Sequence, residues 1–331
     1  MTAPDPSHDL DSLLPRLNEL RSALTQAVVG QHEVVEQLLI GLLAGGHCLL
    51  EGAPGLGKTL LVRSLGQALE LQFRRVQFTP DLMPSDILGT ELLEEDHGTG
   101  KRAFRFQQGP IFTNLLLADE INRTPPKTQA ALLEAMQERT VSYAGTTYAL
   151  PSPFFVLATQ NPIEQAGTYP LPEAQLDRFL LHVRVDYPSE TEERDILAQT
   201  TGSHSGAVPK VMDAEAVKAL QAAVREVHIS PDLLSWITRL VRASRPGDGA
   251  PAEVNNWIKW GAGPRAGQSL VLAAKARALL QGRFAATRED VQALAAPVMR
   301  HRLLLSFAAE AEHKSADDVI AALLRAVPFP A

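Results

Sequence analysis

The chain has 331 residues, room for two domains of ordinary size, and its 45% hydrophobic and 21% charged side chains suit a globular protein that needs no staples. A formal charge of −7, from 31 basic and 38 acidic side chains, counts against a general nucleic-acid binder, which draws on a positive field. The single cysteine, Cys48, excludes an internal disulfide and a multi-cysteine zinc site, and no apolar run approaches the length that spans a bilayer, so a cytoplasmic protein without membrane insertion is expected.

In chain order, residues 1–9 are Pro-rich and acidic, show no charged-then-apolar signal pattern, and are expected to be disordered. From Leu10 onward, Leu13, Leu14, Leu17 and Leu24 recur at helical spacing. Gly30 punctuates, and Val34, Val35, Leu38, Leu39 and Leu42 mark a second helix. His47–Glu51, with Cys48 inside it, reads as a short buried strand. A glycine-rich loop follows, then a helix carrying Leu60, Leu61, Leu65 and Leu69. Further strands are expected at Phe73–Phe78, Leu115–Ala118, Phe154–Thr159 and Phe179–Val185, with helices between them, notably Gln129–Glu138. Such alternation predicts an α/β fold: a parallel sheet with helices on both faces.

Two stretches break that rhythm. Residues 91–108 and 140–150 each read as a hairpin, the first around His97–Lys101 and the second around Ala144-Gly145. Ser189–Glu192 resembles a capping box that opens a helix. Residues 201–209 form a small-residue linker, which divides a nucleotide-binding core over 10–200 from an all-helical domain over 210–331. The second domain shows helical patterns at Ala214–Val227, Pro231–Ala243, Gln268–Leu280 and Glu289–His301, the last capped by Thr287 and Asp290. Trp236, Trp257 and Trp260 all fall in it and are expected in its core or at the domain interface.

The glycine-rich loop is Gly52-Ala53-Pro54-Gly55-Leu56-Gly57-Lys58-Thr59, with Leu60 next in the helix. It has the G-x-x-x-x-G-K-T form between a strand and a helix, the setting a phosphate loop requires. Glycines let successive backbone N–H groups turn towards an anion, and the helix offers its positive end. Lys58 would reach the β- and γ-phosphates of ATP, and the Thr59 hydroxyl would ligate Mg²⁺. A second element, Leu115–Ile121, is an apolar strand ending in Asp119-Glu120. Alone, such a pair is usually a solvated strand edge. Beside a phosphate loop, Asp119 is expected to hold Mg²⁺, mostly through water, and Glu120 to act as the general base on the attacking water.

These motifs, with Leu157–Pro162, Leu171–Phe179 and Gly261–Ala266, resemble the MoxR-type AAA+ ATPases from about Val28 to about Phe307. The resemblance implies a P-loop core followed by a helical lid. It makes Asn161 the sensor-1 residue that positions the attacking water; the plain alternative is a cap before Pro162. Arg178 matches the arginine finger that reaches the next subunit's site; the alternative is an intrachain ion pair with Asp177 or Glu173. Arg265 matches sensor 2 at the start of a lid helix, although Gly263 stands where the family often has Ser. Val29-Gly30 and Gln31 match the segment lining the adenine pocket. Arg123 is either a second interface cation or a solvated loop charge.

By the same resemblance, 91–108 is the helix-2 insert and 140–150 the hairpin before sensor 1. It further implies a homo-oligomer, a hexameric ring, remodelling protein complexes in a chaperone-like way with a von Willebrand factor A-domain partner. Lys101, Arg102 and Arg105 among Phe104 and Phe106 keep a nucleic-acid-stimulated motor as an alternative. A nucleotide-gated assembly module with little turnover is another, although a pure switch has no need of Glu120.

Overall fold

The protein is described from a computed structural model, which places residues 7–53, 55–95, 102–162, 167–200 and 208–329. Helix α1 spans Ser7–Ala27, so residues 7–9, expected to be disordered, are helical; residues 1–6 lie outside the described residues. Leu13, Leu17, Leu20 and Leu24 all turn inward from it. Next come α2 (His32–Leu43), β1 (Cys48–Gly52), α3 (Lys58–Ala68), β2 (Phe73–Gln77) and the short α4 (Pro84–Leu88). A hairpin of β3 (Gly89–Glu95) and β4 (Arg102–Gln108) leads to β5 (Leu115–Asp119) and α5 (Pro126–Glu138). A second hairpin, β6 (Thr140–Tyr143) and β7 (Thr146–Ala149), precedes β8 (Phe155–Gln160), α6 (Glu173–Leu176), β9 (Leu181–Val185) and α7 (Glu190–Thr200). Ser189 and Glu192 exchange hydrogen bonds at the start of α7, as the capping-box spacing predicts.

Five strands form one parallel sheet in the order β2-β5-β8-β1-β9. Leu115–Ala118 and Phe155–Thr159 are buried on both faces, which is why they read as unbroken apolar runs. Strand β2 lies at the sheet edge, with only Val76 buried. Both expected strand pairs form, although the first one's turn, His97–Lys101, lies outside the described residues. Ala144 and Gly145 have φ of 47° and 82°, the pair of positive values a two-residue turn between right-twisted strands demands. Phe106 of β4 stacks on Tyr148 at 4.4 Å and lies 5.2 Å from Tyr143, so the two hairpins join through their aromatic rings.

The remaining chain is α8 (Ala214–Glu226), α9 (Pro231–Ala243), α10 (Ala252–Trp257), β10 (Ile258–Trp260), α11 (Pro264–Leu280), α12 (Arg288–Met299), β11 (Leu304–Leu305), α13 (Phe307–Ala311) and α14 (Ala316–Ala326). The region is helical apart from the two-stranded antiparallel ribbon β10–β11, which the helical pattern did not indicate. Helix α11 starts at Pro264, four residues before the expected Gln268, because proline suits the first helical position, where no N–H partner is needed. The Thr287–Asp290 capping box is present, and a second one, Ser315–Asp318, opens α14. Trp236 is buried and donates to the Val327 carbonyl at 2.7 Å; Trp260 is 74% exposed, against the expectation of a core or interface residue.

One apolar interior runs through α1, α2, the near face of the sheet and helices α8, α9, α11, α12 and α14. A second, under α4 and α5, covers the opposite face. Within the sheet, His47 is buried and neutral. Its Nδ1 accepts from the Val156 amide at 3.0 Å, which leaves Nε2 to donate to the Met136 carbonyl at 3.1 Å. Burial, against the Met136 bond and with help from Arg139, lowers its pKa from 6.5 to about 4. The unfolded chain therefore binds the extra proton first as pH falls, so this contribution is whole above pH 6.5 and is lost on going down towards pH 4. Between pH 7 and pH 5 it amounts to about 2 kcal/mol. Urea unfolding of wild type should lose about that much more over this interval than His47→Gln; equal losses would refute the assignment.

Candidate nucleotide site

The carboxyl ends of β1, β5 and β8 meet at one edge of the sheet, where open parallel sheets bind ligands. Gly52 ends β1, and a Cβ there would lie 2.5 Å from the Val185 carbonyl oxygen. The close approach of β9, rather than the loop's own curvature, thus requires that glycine. Gly55 and Gly57 have φ of 84° and 73°, and an added Cβ at either would meet open space; there the backbone itself requires glycine. Pro54 lies outside the described residues. Helix α3 begins at Lys58, so its free first-turn N–H groups and positive end face the same opening. Lys58 is half-buried, and its Nζ donates back to the Gly52 carbonyl at 2.6 Å. Burial lowers its pKa, and the carboxylates of Asp119, Glu120 and Glu51 oppose that.

The acid half is held from three strands. Asp119 accepts from the Thr159 hydroxyl at 2.6 Å on one oxygen, and on the other from Arg75 Nε at 3.0 Å and Nη2 at 2.7 Å. Glu120 takes a left-handed backbone, φ 57° and ψ 51°, a strained state for a glutamate. Its N–H donates to the same Thr159 oxygen at 2.8 Å, which stabilises the turn. Glu120 Oε2 accepts from Gln77 at 2.7 Å and from Arg123 at 3.1 Å. Arg123 is therefore paired with the acid it follows rather than with solvent alone. Reading the sequence missed Arg75, Gln77 and Thr159. Alternation along Arg74–Gln77 places residues 75 and 77 on one face, but their approach to the acids depends on the pairing of Gln77 with Asp119 across β2 and β5.

These groups enclose a cleft of about 420 Å³, which Leu56, Thr59 and the buried Asn161 also line. Val29, Gly30, Gly52, Ala53 and Leu60 are not among its lining residues; Leu60 is 48% exposed. The Val29–Gln31 segment is nevertheless tied to the loop, since Gln31 donates to the Leu56 carbonyl at 2.6 Å. The Thr59 hydroxyl and the Asp119 carboxylate are hard oxygen donors at one cleft, a set that fits Mg²⁺ with water completing its shell. A larger groove of about 740 Å³ runs between α8, α9 and α11, over Leu234, Val241 and Leu272. It has no carboxylate on its walls, and its one hydroxyl, Thr238, donates to the Leu234 carbonyl at 2.9 Å, so the chemistry belongs to the smaller cleft.

Neither Arg178 nor Arg265 lines the cleft. Arg178 follows Asp177 at the end of α6, and Arg265 of α11 pairs with the Asp177 carboxylate. The Asp177 carboxylate accepts from Arg302 at 2.6 Å and lies 3.5 Å from Arg265 Nη1. The ion pair considered for Arg178, with Asp177 or Glu173, is absent among the described residues. In the β3–β4 hairpin, Arg102 pairs with Glu95 and Arg105 with Glu94, which reduces the basic character expected there; Lys101 lies outside the described residues.

Among the described residues no helix is long and apolar enough to cross a membrane. Residues 47–181 match the model of the ATPase family associated with various cellular activities (AAA), and residues 252–323 match that of the AAA lid domain. The chain is 41% identical to the chaperone MoxR1 of Mycobacterium tuberculosis, over 98% of this chain and 86% of that one. It is 35% identical to the protein MoxR of Paracoccus denitrificans, over 96% and 97% of the two chains. A solved structure from Cytophaga hutchinsonii superposes with a TM-score of 0.89 at 40% identity, covering 98% of each chain. With the phosphate loop, the acid pair and the lid now placed in one fold, the chain belongs to the MoxR family of AAA+ ATPases.

Proposed function

We propose that the chain hydrolyses ATP with Mg²⁺ at a site shared between neighbouring subunits of a homo-oligomeric ring, hexameric by family resemblance, and that the cycle remodels protein complexes in a chaperone-like way. The observation that carries this reading is the division of the predicted machinery. Lys58, Thr59, Asp119, Glu120 and Asn161 gather at one cleft, while Arg178 and Arg265 are outside it, one next to Asp177 in the chain and the other paired with its carboxylate. A site whose two expected arginines belong elsewhere on its own chain is completed by another copy that presents them.

In this scheme the loop N–H groups and Lys58 hold the β- and γ-phosphates, and Lys58 leaves the Gly52 carbonyl to do so. Thr59 and Asp119 hold Mg²⁺, which when bound neutralises charge on the phosphates. Glu120, fixed by Gln77 and Arg123, takes the proton from the attacking water, and the Asn161 amide orients that water. Arg178 of the next subunit stabilises charge on the γ-phosphate, with Arg265 beside it, so Arg265 too would act on a neighbour's nucleotide. A partner with a von Willebrand factor A domain fits this reading by resemblance. Dilution tests it. Turnover per subunit should fall by two or more orders of magnitude as rings dissociate. A specific activity independent of protein concentration, across a range where ultracentrifugation shows dissociation, would refute the shared site.

A further inference from the structure

Arg302 is the most completely engaged charge where the helical region meets the nucleotide core. It closes a single 3-10 turn, Arg300–Arg302, after α12, and its side chain is 2% exposed. A guanidinium has five N–H donors, and here they face six acceptors. Nε reaches the Asp177 carboxylate at 2.6 Å. Nη2 reaches the Phe179 carbonyl at 2.7 Å, the Asp177 carbonyl at 3.3 Å and the Ser269 hydroxyl at 3.2 Å. Nη1 reaches the carbonyls of Leu180, at 3.3 Å, and Val298. Asp177, Phe179 and Leu180 bracket Arg178 in the chain. The second oxygen of Asp177 faces Arg265, on α11.

A buried ion pair is poor value as a source of stability, because desolvation offsets its attraction and apolar packing of the same volume often does as well. What apolar packing cannot supply is direction. Arg302 fastens the backbone on both sides of Arg178 and shares one carboxylate with Arg265. We infer that Arg302 is a positioning residue for the shared site: it aims Arg178 and, through Asp177, holds Arg265 beside it, so that both arginines reach the neighbouring subunit as one unit. This inference rests on the shared-site reading.

Arg302→Lys keeps the charge and loses the fork; Asp177→Asn keeps the shape and loses the charge. Each should lower kcat of the assembled protein about 100-fold, the usual effect of an ångström of misplacement, with ATP affinity within about threefold of wild type. The decisive measurement mixes subunits. Arg302→Lys subunits retain an intact phosphate loop and base, and Glu120→Gln subunits retain an intact arginine pair. A mixture should therefore hydrolyse ATP faster than the sum of the two alone, a recovery that a generally weakened fold would not give. A wild-type kcat in both variants, or loss of ATP binding in both, would overturn the inference. So would a mixture that stays at the sum while Arg178→Ala mixed with Glu120→Gln recovers. Should that control mixture also fail to recover, the shared-site reading falls and takes this inference with it. If Arg302→Lys does not fold, Asp177→Asn gives the same readings.

Discussion

Glu120→Gln should lower ATP turnover by roughly 10²–10⁴ while leaving ATP binding intact. The amide has the size of the carboxyl and can still accept from Gln77 and Arg123 through its oxygen, so the neighbouring geometry persists. The Glu120 N–H bond to Thr159 is a backbone contact and is unaffected by the change. What is lost is the negative charge, and with it the ion pair to Arg123 and the capacity to take a proton from water. Single-turnover hydrolysis, measured beside equilibrium binding of ATP, separates the two. Unchanged turnover would place the base elsewhere and would favour a nucleotide-gated module with little chemistry of its own.

Arg178→Ala should reduce turnover by roughly 10³–10⁵, the range over which an arginine supplied from a neighbour stabilises the charge of phosphoryl transfer. Binding should be spared, because Arg178 does not line the cleft that the same chain builds. Folding should be spared too, since the α6 segment is fastened by Arg302 contacts to Asp177, Phe179 and Leu180 rather than by the Arg178 side chain. A variant that hydrolyses at the wild-type rate under assembling conditions would remove Arg178 from the reaction. One that fails to bind ATP would show that the residue serves its own subunit.

The features that could be read from the sequence are those written within a few residues. The phosphate loop has fixed spacing, the apolar run Leu115–Ala118 ends in its acids, and each hairpin has alternation around a turn. Arg75, Gln77 and Thr159 carry no such mark. They act because β2 pairs with β5 and β5 with β8 in one register, and register is a long-range property. Arg302 is similar: two residues after Arg300 it looks like one more cation at a helix end, and only the fold turns it inward. The start of α1 at Ser7 shows the converse error. Polar composition suggested disorder over residues 1–9, and the helix nonetheless includes residues 7–9.

The shared apolar interior has a mechanical consequence. Helices α8, α9, α11 and α12 do not hang from the sheet by a strap; with α1, α2 and the near face of the sheet they make one packed mass. Such interiors are dense and of low compressibility, so strain at one part is passed on to the rest. Arg277 adds a lock by reaching from α11 to Glu36 of α2 at 3.3 Å. A machine made of such blocks does its bending at the seams, and in the ring proposed here the seams are where the nucleotides sit. Each chain is then a stiff lever, and the joint of the motor belongs to no single copy.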